Sequence, residues 1–233
     1  MPGIDKYTKL MLHCNGADAS QVFIDSATGK VVTAVNHAQI DTVQSKFGGA
    51  SGLFDGTDDY LTLADSSDFN LGLSAEPFTI DCWIRTTDTT FGIVGRGSGT
   101  YAWNNTTGIQ YHLIYGGGIL YFQFWNNVDN GQAFITSNVP KDGSWHHIAV
   151  IYDGTTTKIA IDGTFSGTTT TDNYYKPSSA NNFIVGVVNG LIDYFAGWFD
   201  EIRVSKGIAR WTANFTPPVS AYIRGGNALP FFM

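Results

Sequence analysis

The segment GWFDEIRV, residues 197–204, constrains this chain more than any other, because it combines a strand pattern with a buried acid. Its alternation predicts that Trp198, Ile202 and Val204 share one face of a β-strand, with Asp200 on that same face. A carboxylate on an apolar face is costly unless it is paired with a cation, hydrogen-bonded or bound to a metal. The strand near the end of the chain therefore predicts a buried anion that needs a partner.

The rest of the chain has the pattern of an all-β protein. Charged residues make up only 14% of the 233 residues, against the roughly 25% that is usual in soluble domains. About a dozen short strand patterns are separated by Gly- and Asp-containing turns, such as the GGG between residues 109–115 and 119–125. No linker divides the chain and no convincing amphipathic helix is present. The pattern predicts one antiparallel β-sandwich domain.

Charge and hydropathy exclude several classes of partner. The net charge of −7 and the absence of a basic run argue against a nucleic-acid partner. No apolar run approaches the roughly 20 residues that span a bilayer, so membrane insertion is not expected. The first residues lack the order of a signal peptide. Cys14 and Cys82 lie in apolar strand patterns, and we expect them to be core residues rather than a disulfide.

Five segments of the chain, in order, resemble the laminin-G-like and concanavalin A-like lectin/glucanase jelly rolls. They are KFGGASGLFDGTDDYL at 46–61, FTIDCWI at 78–84, WHHIAV at 145–150, IAIDG at 159–163 and FDEIRV at 199–204. The resemblance implies a jelly roll, an antiparallel β-sandwich, over residues 1–218. The ending GIARWTANFTPP at 207–218 is similar to the version common in tailed-phage structural proteins.

That resemblance implies a function without catalysis. The expected role is a virion structural or adhesion protein of a tailed phage, in a capsid decoration, head fibre or tail fibre. Such a protein is assembled in the host cytoplasm and lies at the particle surface. The alternative is a carbohydrate-binding module of a bacterial surface or secreted protein, which would be extracellular. A glycoside hydrolase is a remote alternative.

The resemblance also implies one structural Ca²⁺ ion. Family members often hold calcium between the first strand region and the last strand, which here corresponds to Asn15, Gly16 and Asp200, with Asp25 as a further candidate. Calcium prefers carboxylate and carbonyl oxygens. Asn15 stands where the family more often has an acid. The alternative is that backbone amides or an arginine neutralise Asp200. We expect the DGTDD segment at 55–59 to be a turn with capped amides rather than a calcium loop.

The acidic residues do not match a hydrolase. Retaining glycosidases need two carboxyl groups about 5–5.5 Å apart. The chain contains only two glutamates, Glu76 and Glu201, and no strand pattern carries two alternating acids. The sequence therefore predicts that the protein is not an enzyme.

Aromatic and amide side chains in predicted loops are candidates for contact with a glycan or a protein partner. They are Trp103, Asn104, Trp125, Tyr174 and Tyr175. Residues 219–233 resemble an appended attachment tail, whose apolar residues Leu229, Phe231 and Phe232 would prefer a partner surface to water. The expected partners are other virion proteins or a second copy of the chain in a homo-oligomer, and cell-surface glycans.

Overall fold

The computed structural model describes residues 3–97, 109–124, 132–136, 141–170, 181–188 and 192–224. These residues form seventeen β-strands and two 3-10 helices, at Ser67–Phe69 and Leu73–Ala75. The strands are β1 Thr8–Leu12, β2 Val32–Val35, β3 Gln39–Asp41, β4 Ser51–Asp55, β5 Tyr60–Leu63, β6 Phe78–Arg85, β7 Phe91–Gly97, β8 Ile109–Gly116, β9 Ile119–Phe124, β10 Gln132–Thr136, β11 Trp145–Tyr152, β12 Thr156–Ile161, β13 Thr164–Thr170, β14 Phe183–Val185, β15 Val187–Val188, β16 Asp193–Tyr194 and β17 Ala196–Lys206. No helix in this part of the chain is long and apolar enough to cross a bilayer.

Two large antiparallel sheets pack against each other. The eight-stranded sheet has the order β13-β12-β11-β6-β17-β4-β3, and β1 pairs with the second half of β17. The seven-stranded sheet has the order β10-β9-β8-β7-β14-β5-β2, and β15 and β16 form a small separate ribbon. The predicted all-β antiparallel sandwich is confirmed.

The main core lies between the two sheets and follows the two-residue period of the strands. Phe78, Ile80, Cys82 and Ile84 of β6 all face it, as the alternation predicts. Leucines, isoleucines and phenylalanines of the opposite sheet complete it. Each such side chain stabilises the fold by about 1.5–3 kcal/mol when it is fully buried. Cys14 also lies in this core, and both thiols are free.

The outer face of the eight-stranded sheet is covered by residues 207–224, which we call the C-terminal strap. Trp211 of the strap packs on Ala149, Ile151 and Ala160 of that sheet. Further along, Tyr222 joins a second outer cluster whose other buried members are Ile4 and Met11. The sheet is therefore buried on both faces where the strap packs on β1, β11 and β12.

Residues 219–224, which the sequence assigned to an appended tail, are part of the folded domain. Tyr222 is only 8% exposed, and Arg224 forms a parallel bridge with Ile4. This segment packs on the domain because the Tyr222 ring lies in an apolar cluster and its hydroxyl group donates a hydrogen bond to the buried carboxylate of Asp81. Leu229, Phe231 and Phe232 lie outside the described residues.

Candidate functional site

A β-bulge in the last strand decides where its acids lie. Asp200 of β17 is opposite Trp83 of β6, but the next paired residue is Arg203, opposite Asp81. Glu201, within the bulge, has a φ of 51°, in the left-handed region that few side chains occupy. The bulge therefore reverses, between the two halves of β17, which of the alternating residues face the main core.

The prediction that Trp198, Asp200, Ile202 and Val204 share one face is wrong for this reason. Phe199, Ile202 and Val204 face the main core. Trp198, two residues before Asp200, faces the other side of the sheet. Its indole Nε1 donates a 2.6 Å hydrogen bond to the carboxylate of Asp41. Asp200 is nevertheless fully buried, because other segments cover the outer face of this sheet.

The two oxygens of Asp200 have different surroundings. Oδ2 accepts hydrogen bonds of 2.9 Å from the backbone amides of Lys46 and Phe47. Oδ1 is buried and has no partner with hydrogen-bond geometry among the described residues. Burial raises the pKa of Asp200 to about 7, although these amides favour its charged form. Backbone amides therefore satisfy one oxygen, and among the described residues the other lacks a partner with full hydrogen-bond geometry.

The Asn15 side chain lies at the turn whose backbone amides bind Asp200. A Cβ placed on Gly48 would be 2.3–2.7 Å from the Asn15 side chain, so the amide group packs against the turn whose backbone binds Asp200. An amide oxygen and a buried, half-satisfied carboxylate are ligands that suit calcium, so these two residues fit the implied ion. Gly16 is exposed, and a Cβ placed on it would lie 3.5 Å from the Ile40 side chain.

Asp25 does not belong to this group. Leu12 of β1 pairs with Ile202 on one side and with Asp25 on the other, so β1 separates Asp25 from β17. The Asp25 carboxylate accepts hydrogen bonds from the Thr28 hydroxyl and from four backbone amides. Those amides belong to Met11, Ala27, Thr28 and Lys30. Burial would raise the pKa of Asp25, but these donors outweigh it and lower the pKa. The sequence-based assignment of Asp25 as a ligand is replaced by a turn-capping role.

Both glutamates are engaged in ion pairs. Glu201 is 1% exposed, with Oε1 2.6 Å from His13 Nδ1 and Oε2 accepting the Tyr222 amide at 2.6 Å. The hydrogen bond to Glu201 raises the pKa of His13, and burial offsets part of that rise. Glu76 lies 3.6 Å from the Lys206 ammonium. The described contacts assign both carboxylates to holding elements of the fold together.

The DGTDD segment forms the predicted turn with capped amides. Asp59, 1% exposed, accepts the amides of His37 and Asp55, and Asp55 in turn accepts the amide of Thr57. Ligand atoms of His37, Asp55, Asp58 and Asp59 lie within 4.8 Å of one another. The hydrogen bonds to both Asp59 oxygens explain its burial without a metal ion.

The predicted contact residues Trp103, Asn104, Trp125, Tyr174 and Tyr175 lie outside the described residues. The strand ends that flank their segments are described. Gly97, the last residue of β7, pairs with Ile109, the first residue of β8. Phe124, the last residue of β9, pairs with Gln132 at the start of β10 and with Tyr111 near the start of β8. The first residue of β14 pairs with the residue before the last of β7.

Those strand ends all lie at one end of the seven-stranded sheet, which we call the loop end. It is defined by the described residues Gly97, Ile109, Phe124, Gln132 and Phe183. The chain connections that contain the three predicted contact segments start or finish at this end. The convergence of these strand ends follows from the strand registers, which the sequence alone did not specify.

Arg96 organises the described part of the loop end. Its buried guanidinium donates to Asn181 O at 3.3 Å, to Gln110 Oε1 at 2.9 Å, and to the side chains of Asn70 and Asp65. These bonds tie segment 65–70 and residue 181 to the sheet. Sequence reasoning missed Arg96, although a lone arginine in the apolar segment FGIVGRG is a signal that could have found it.

A second polar group lies on the outer face of the seven-stranded sheet. His112 Nε2 is 2.5 Å from Gln123 Oε1, and the two residues are 2% and 7% exposed. Burial lowers the pKa of His112 to about 4, against the opposite effect of this hydrogen bond. The imidazole is therefore neutral at physiological pH.

Comparison with known proteins agrees with this architecture. The family model described as "Concanavalin A-like lectin/glucanases superfamily", laminin G type 3, matches residues 55–210. No curated protein sequence matches the chain. The binding domain of Paraclostridial Mosquitocidal Protein 1 has a TM-score of 0.63 and 14% identity, over 87% of this chain and 49% of that one.

Two botulinum neurotoxin structures show the same likeness of fold. The serotype G binding domain has a TM-score of 0.63 and 15% identity, over 86% of this chain and 47% of that one. The binding domain of botulinum neurotoxin DC, solved in complex with SialylT, has a TM-score of 0.60 and 14% identity, over 86% and 48%. The chain spans about half the length of these structures. With the family match covering most of the strands, the chain belongs to the laminin-G-like family of the concanavalin A-like lectin/glucanases superfamily.

Proposed function

We propose that this chain is a non-enzymatic recognition domain that binds a glycan or protein partner at the loop end of its seven-stranded sheet. The observation that supports it is the convergence of the strand ends that flank Trp103, Trp125 and Tyr174. Loops held by a rigid scaffold are where binding residues concentrate. The strap occupies part of the outer face of the other sheet, so that area is not free for a partner.

Glycan recognition is the first form of this proposal. Aromatic rings and amide groups, such as Trp103 with Asn104, supply the stacking surfaces and hydrogen bonds that sugars require. One of the structures with the same fold is a binding domain in complex with SialylT. At 14% identity this likeness concerns the fold, so it supports the capacity to bind and not a particular sugar.

A tailed-phage virion is the proposed setting, with the domain at the particle surface after assembly in the host cytoplasm. The support is the segment at 207–218, which resembles the version common in tailed-phage structural proteins. Residues 225–233, with Leu229, Phe231 and Phe232, would attach the domain to other virion proteins or to a second copy. A carbohydrate-binding module of an extracellular bacterial protein is the alternative.

The proposal includes one structural Ca²⁺ ion. Asp200 would supply the anionic ligand through Oδ1, and Asn15 would supply an amide oxygen. The ion would provide the positive charge that keeps Asp200 ionised in its buried position. Its role would be to fix the bulge of β17 against the turn at 46–48.

A glycan array tests the binding proposal. We expect the wild-type domain to bind a defined set of glycans, and Trp103→Ala, Trp125→Ala and Tyr175→Ala to reduce that binding by about tenfold or more. Tyr60→Ala is the matched control, because Tyr60 is a half-buried aromatic residue that begins β5 at the opposite end of the same sheet. Equal losses in all four variants, or no binding by the wild type to glycans or to virion proteins, would contradict the proposal.

A second experiment tests the setting. Antibodies raised against the domain should label the surface of purified phage particles in electron micrographs. Their failure to label particles, together with recovery of the protein from bacterial cell surfaces or culture medium, would favour the carbohydrate-binding module.

A further inference from the structure

A cleft of about 320 Å³ lies between the start of β1 and the end of β17. Three of its seven lining residues are lysines, although the chain as a whole is acidic, with a net charge of −7. The lining residues are Lys6, Tyr7, Lys9, Asp68, Glu76, Lys206 and Gly207. We call this the lysine cleft.

The carboxylates at the lysine cleft are already paired. Asp68 lies 2.6 Å from Lys30 Nζ, and Glu76 lies 3.6 Å from Lys206 Nζ. Asp5, in the adjacent turn, does not neutralise the cleft, because its two oxygens accept hydrogen bonds of 2.8 and 3.0 Å from Arg210.

Two ammonium groups are left without an acid. Lys9 Nζ donates to the backbone oxygen of Lys6 at 3.0 Å, and Lys6 Nζ lies 4.9 Å from the centre of the Tyr7 ring. Within the described part of the chain, neither ammonium has a carboxylate within 4.0 Å. The lysine cleft therefore carries positive charge that no nearby carboxylate neutralises, and such a local charge attracts an anionic group.

The walls of the lysine cleft are fixed by backbone hydrogen bonds. The amide of Lys206 donates to Tyr7 O at 2.9 Å, and the amide of Gly207 donates to Pro77 O at 2.7 Å. Gly207 has a φ of +86°, and a Cβ there would lie 3.2 Å from the Tyr7 ring, so only glycine fits without strain. The half-buried Tyr7 ring is thereby held at the cleft.

Segment 65–70 joins the lysine cleft to the loop end. Asp68, which lines the cleft, binds Lys30, whereas Asp65 and Asn70 bind Arg96 at the loop end.

We propose that the lysine cleft binds the carboxylate or sulfate groups of an acidic oligosaccharide, and this rests on the proposed glycan recognition at the loop end. The acidic group pairs with Lys6 and Lys9. The overall negative charge of the chain repels polyanions at long range, so selection depends on this local site and weakens with salt.

Binding measurements with three probes of similar length test the proposal. They are a heparin-derived hexasaccharide, with sulfate and carboxylate groups, an oligogalacturonate hexamer, with carboxylates only, and neutral maltohexaose. We expect at least one acidic probe to bind about tenfold or more tighter than maltohexaose at low salt, and to weaken at high salt. Comparison of the two acidic probes tells sulfate from carboxylate recognition.

The variant Lys6→Glu/Lys9→Glu should lose about tenfold or more of this affinity. Lys141→Glu/Lys158→Glu makes the same change of charge away from the cleft and should change affinity little. Melting curves of both variants verify folding. Absence of acidic preference in the wild type, or equal losses in both double variants, would overturn the proposal.

The outcome separates this site from the proposed function. Binding of neutral glycans that depends on Trp103 and Trp125, without acidic preference, overturns the lysine cleft and keeps the loop end. Binding of an acidic probe that depends on Lys6 and Lys9 but not on Trp103 or Trp125 keeps the cleft and contradicts the loop-end proposal.

Discussion

Arg203 and Asp81 form a buried ion pair between β17 and β6 on the outer face of the eight-stranded sheet. Arg203 Nε lies 2.9 Å from Asp81 Oδ1, and Nη2 lies 3.2 Å from Oδ2. The Tyr222 hydroxyl donates to Asp81 Oδ2 at 2.6 Å and accepts from Arg203 Nη2 at 2.9 Å. The pair therefore joins the two central strands to the C-terminal strap.

Replacing Asp81 should destabilise the protein strongly. Burial would raise the pKa of Asp81, but Arg203 and His147 outweigh it and hold the pKa at about 2. The stabilisation is thus present above the unfolded pKa of 3.8 and is lost as the pH falls toward 2.

Asp81→Asn should lower the free energy of unfolding at pH 7 by about 3–5 kcal/mol, because Arg203 stays buried without its counter-ion. Urea titration measures this. Glu76→Gln, at a half-exposed pair, is the control, with an expected loss under about 1 kcal/mol. Equal losses would contradict the assigned role.

Two truncations should distinguish the role of the C-terminal strap from that of residues 225–233. A chain that ends at Pro218 loses Tyr222 and should melt at a clearly lower temperature, because Asp81 and Glu201 each lose a hydrogen-bond donor. A chain that ends at Arg224 should melt as the full chain does. Light scattering on the second truncation tests the proposed attachment role of residues 225–233. An unchanged oligomeric state and normal incorporation into particles would contradict that role and show that the partner surface lies elsewhere.

Asp200 should make the stability of the fold depend on pH, and the size of the stabilisation by calcium should change with pH as well. Its pKa is raised in the fold to about 7, so without metal the fold binds more protons than the unfolded chain between pH 3.8 and 7. Stability therefore falls as the pH rises through that range, by a few kcal/mol at about 1.4 kcal/mol per pKa unit. Calcium should raise the melting temperature more at pH 8 than at pH 5, because it binds the ionised carboxylate.

Asp200→Asn is the matched variant for that measurement. It should be more stable than the wild type at pH 8 in the presence of chelator and should lose most of its response to calcium. Identical melting curves of the wild type with calcium and with chelator would rule out the ion.

His112 should titrate far below an ordinary histidine. Its folded pKa of about 4 lies below the unfolded value of 6.5, so the contribution of this residue to stability is present above pH 6.5 and is lost as the pH falls toward 4. Imidazole resonances in NMR spectra should show His112 neutral at pH 5.5. His13, whose pKa is raised by Glu201, serves as the internal comparison and should be protonated there. A midpoint near 6.5 for His112 would contradict the buried assignment.

The two glutamates should not hydrolyse glycans. Incubation of the protein with β-glucans, galactans and bacterial polysaccharides should release no reducing ends. Glu201→Gln should weaken the contact with His13 and lower stability without changing any activity. Release of sugar that disappears in Glu201→Gln but persists in Glu76→Gln would overturn the non-enzymatic assignment.

The sequence by itself determined the local structure of this protein. The two-residue period placed Phe78, Ile80, Cys82 and Ile84 on one core face, and the glycine-rich turn between residues 115 and 119 marked a hairpin. These features depend on the chain's own alternation and turn chemistry, which act over a few residues. Five short motifs in order were enough to identify the family.

Only the tertiary structure decided how distant segments combine. The bulge at Glu201 reversed the face of Asp200 relative to Ile202, and no local pattern marks a bulge of this kind. The sequence made Asp25 a candidate ligand, but β1 lies between Asp25 and β17. The loop end, the Arg96 network and the lysine cleft are juxtapositions of segments far apart in the chain. Strand register and sheet order create them, and those quantities depend on the packing of both faces of each sheet.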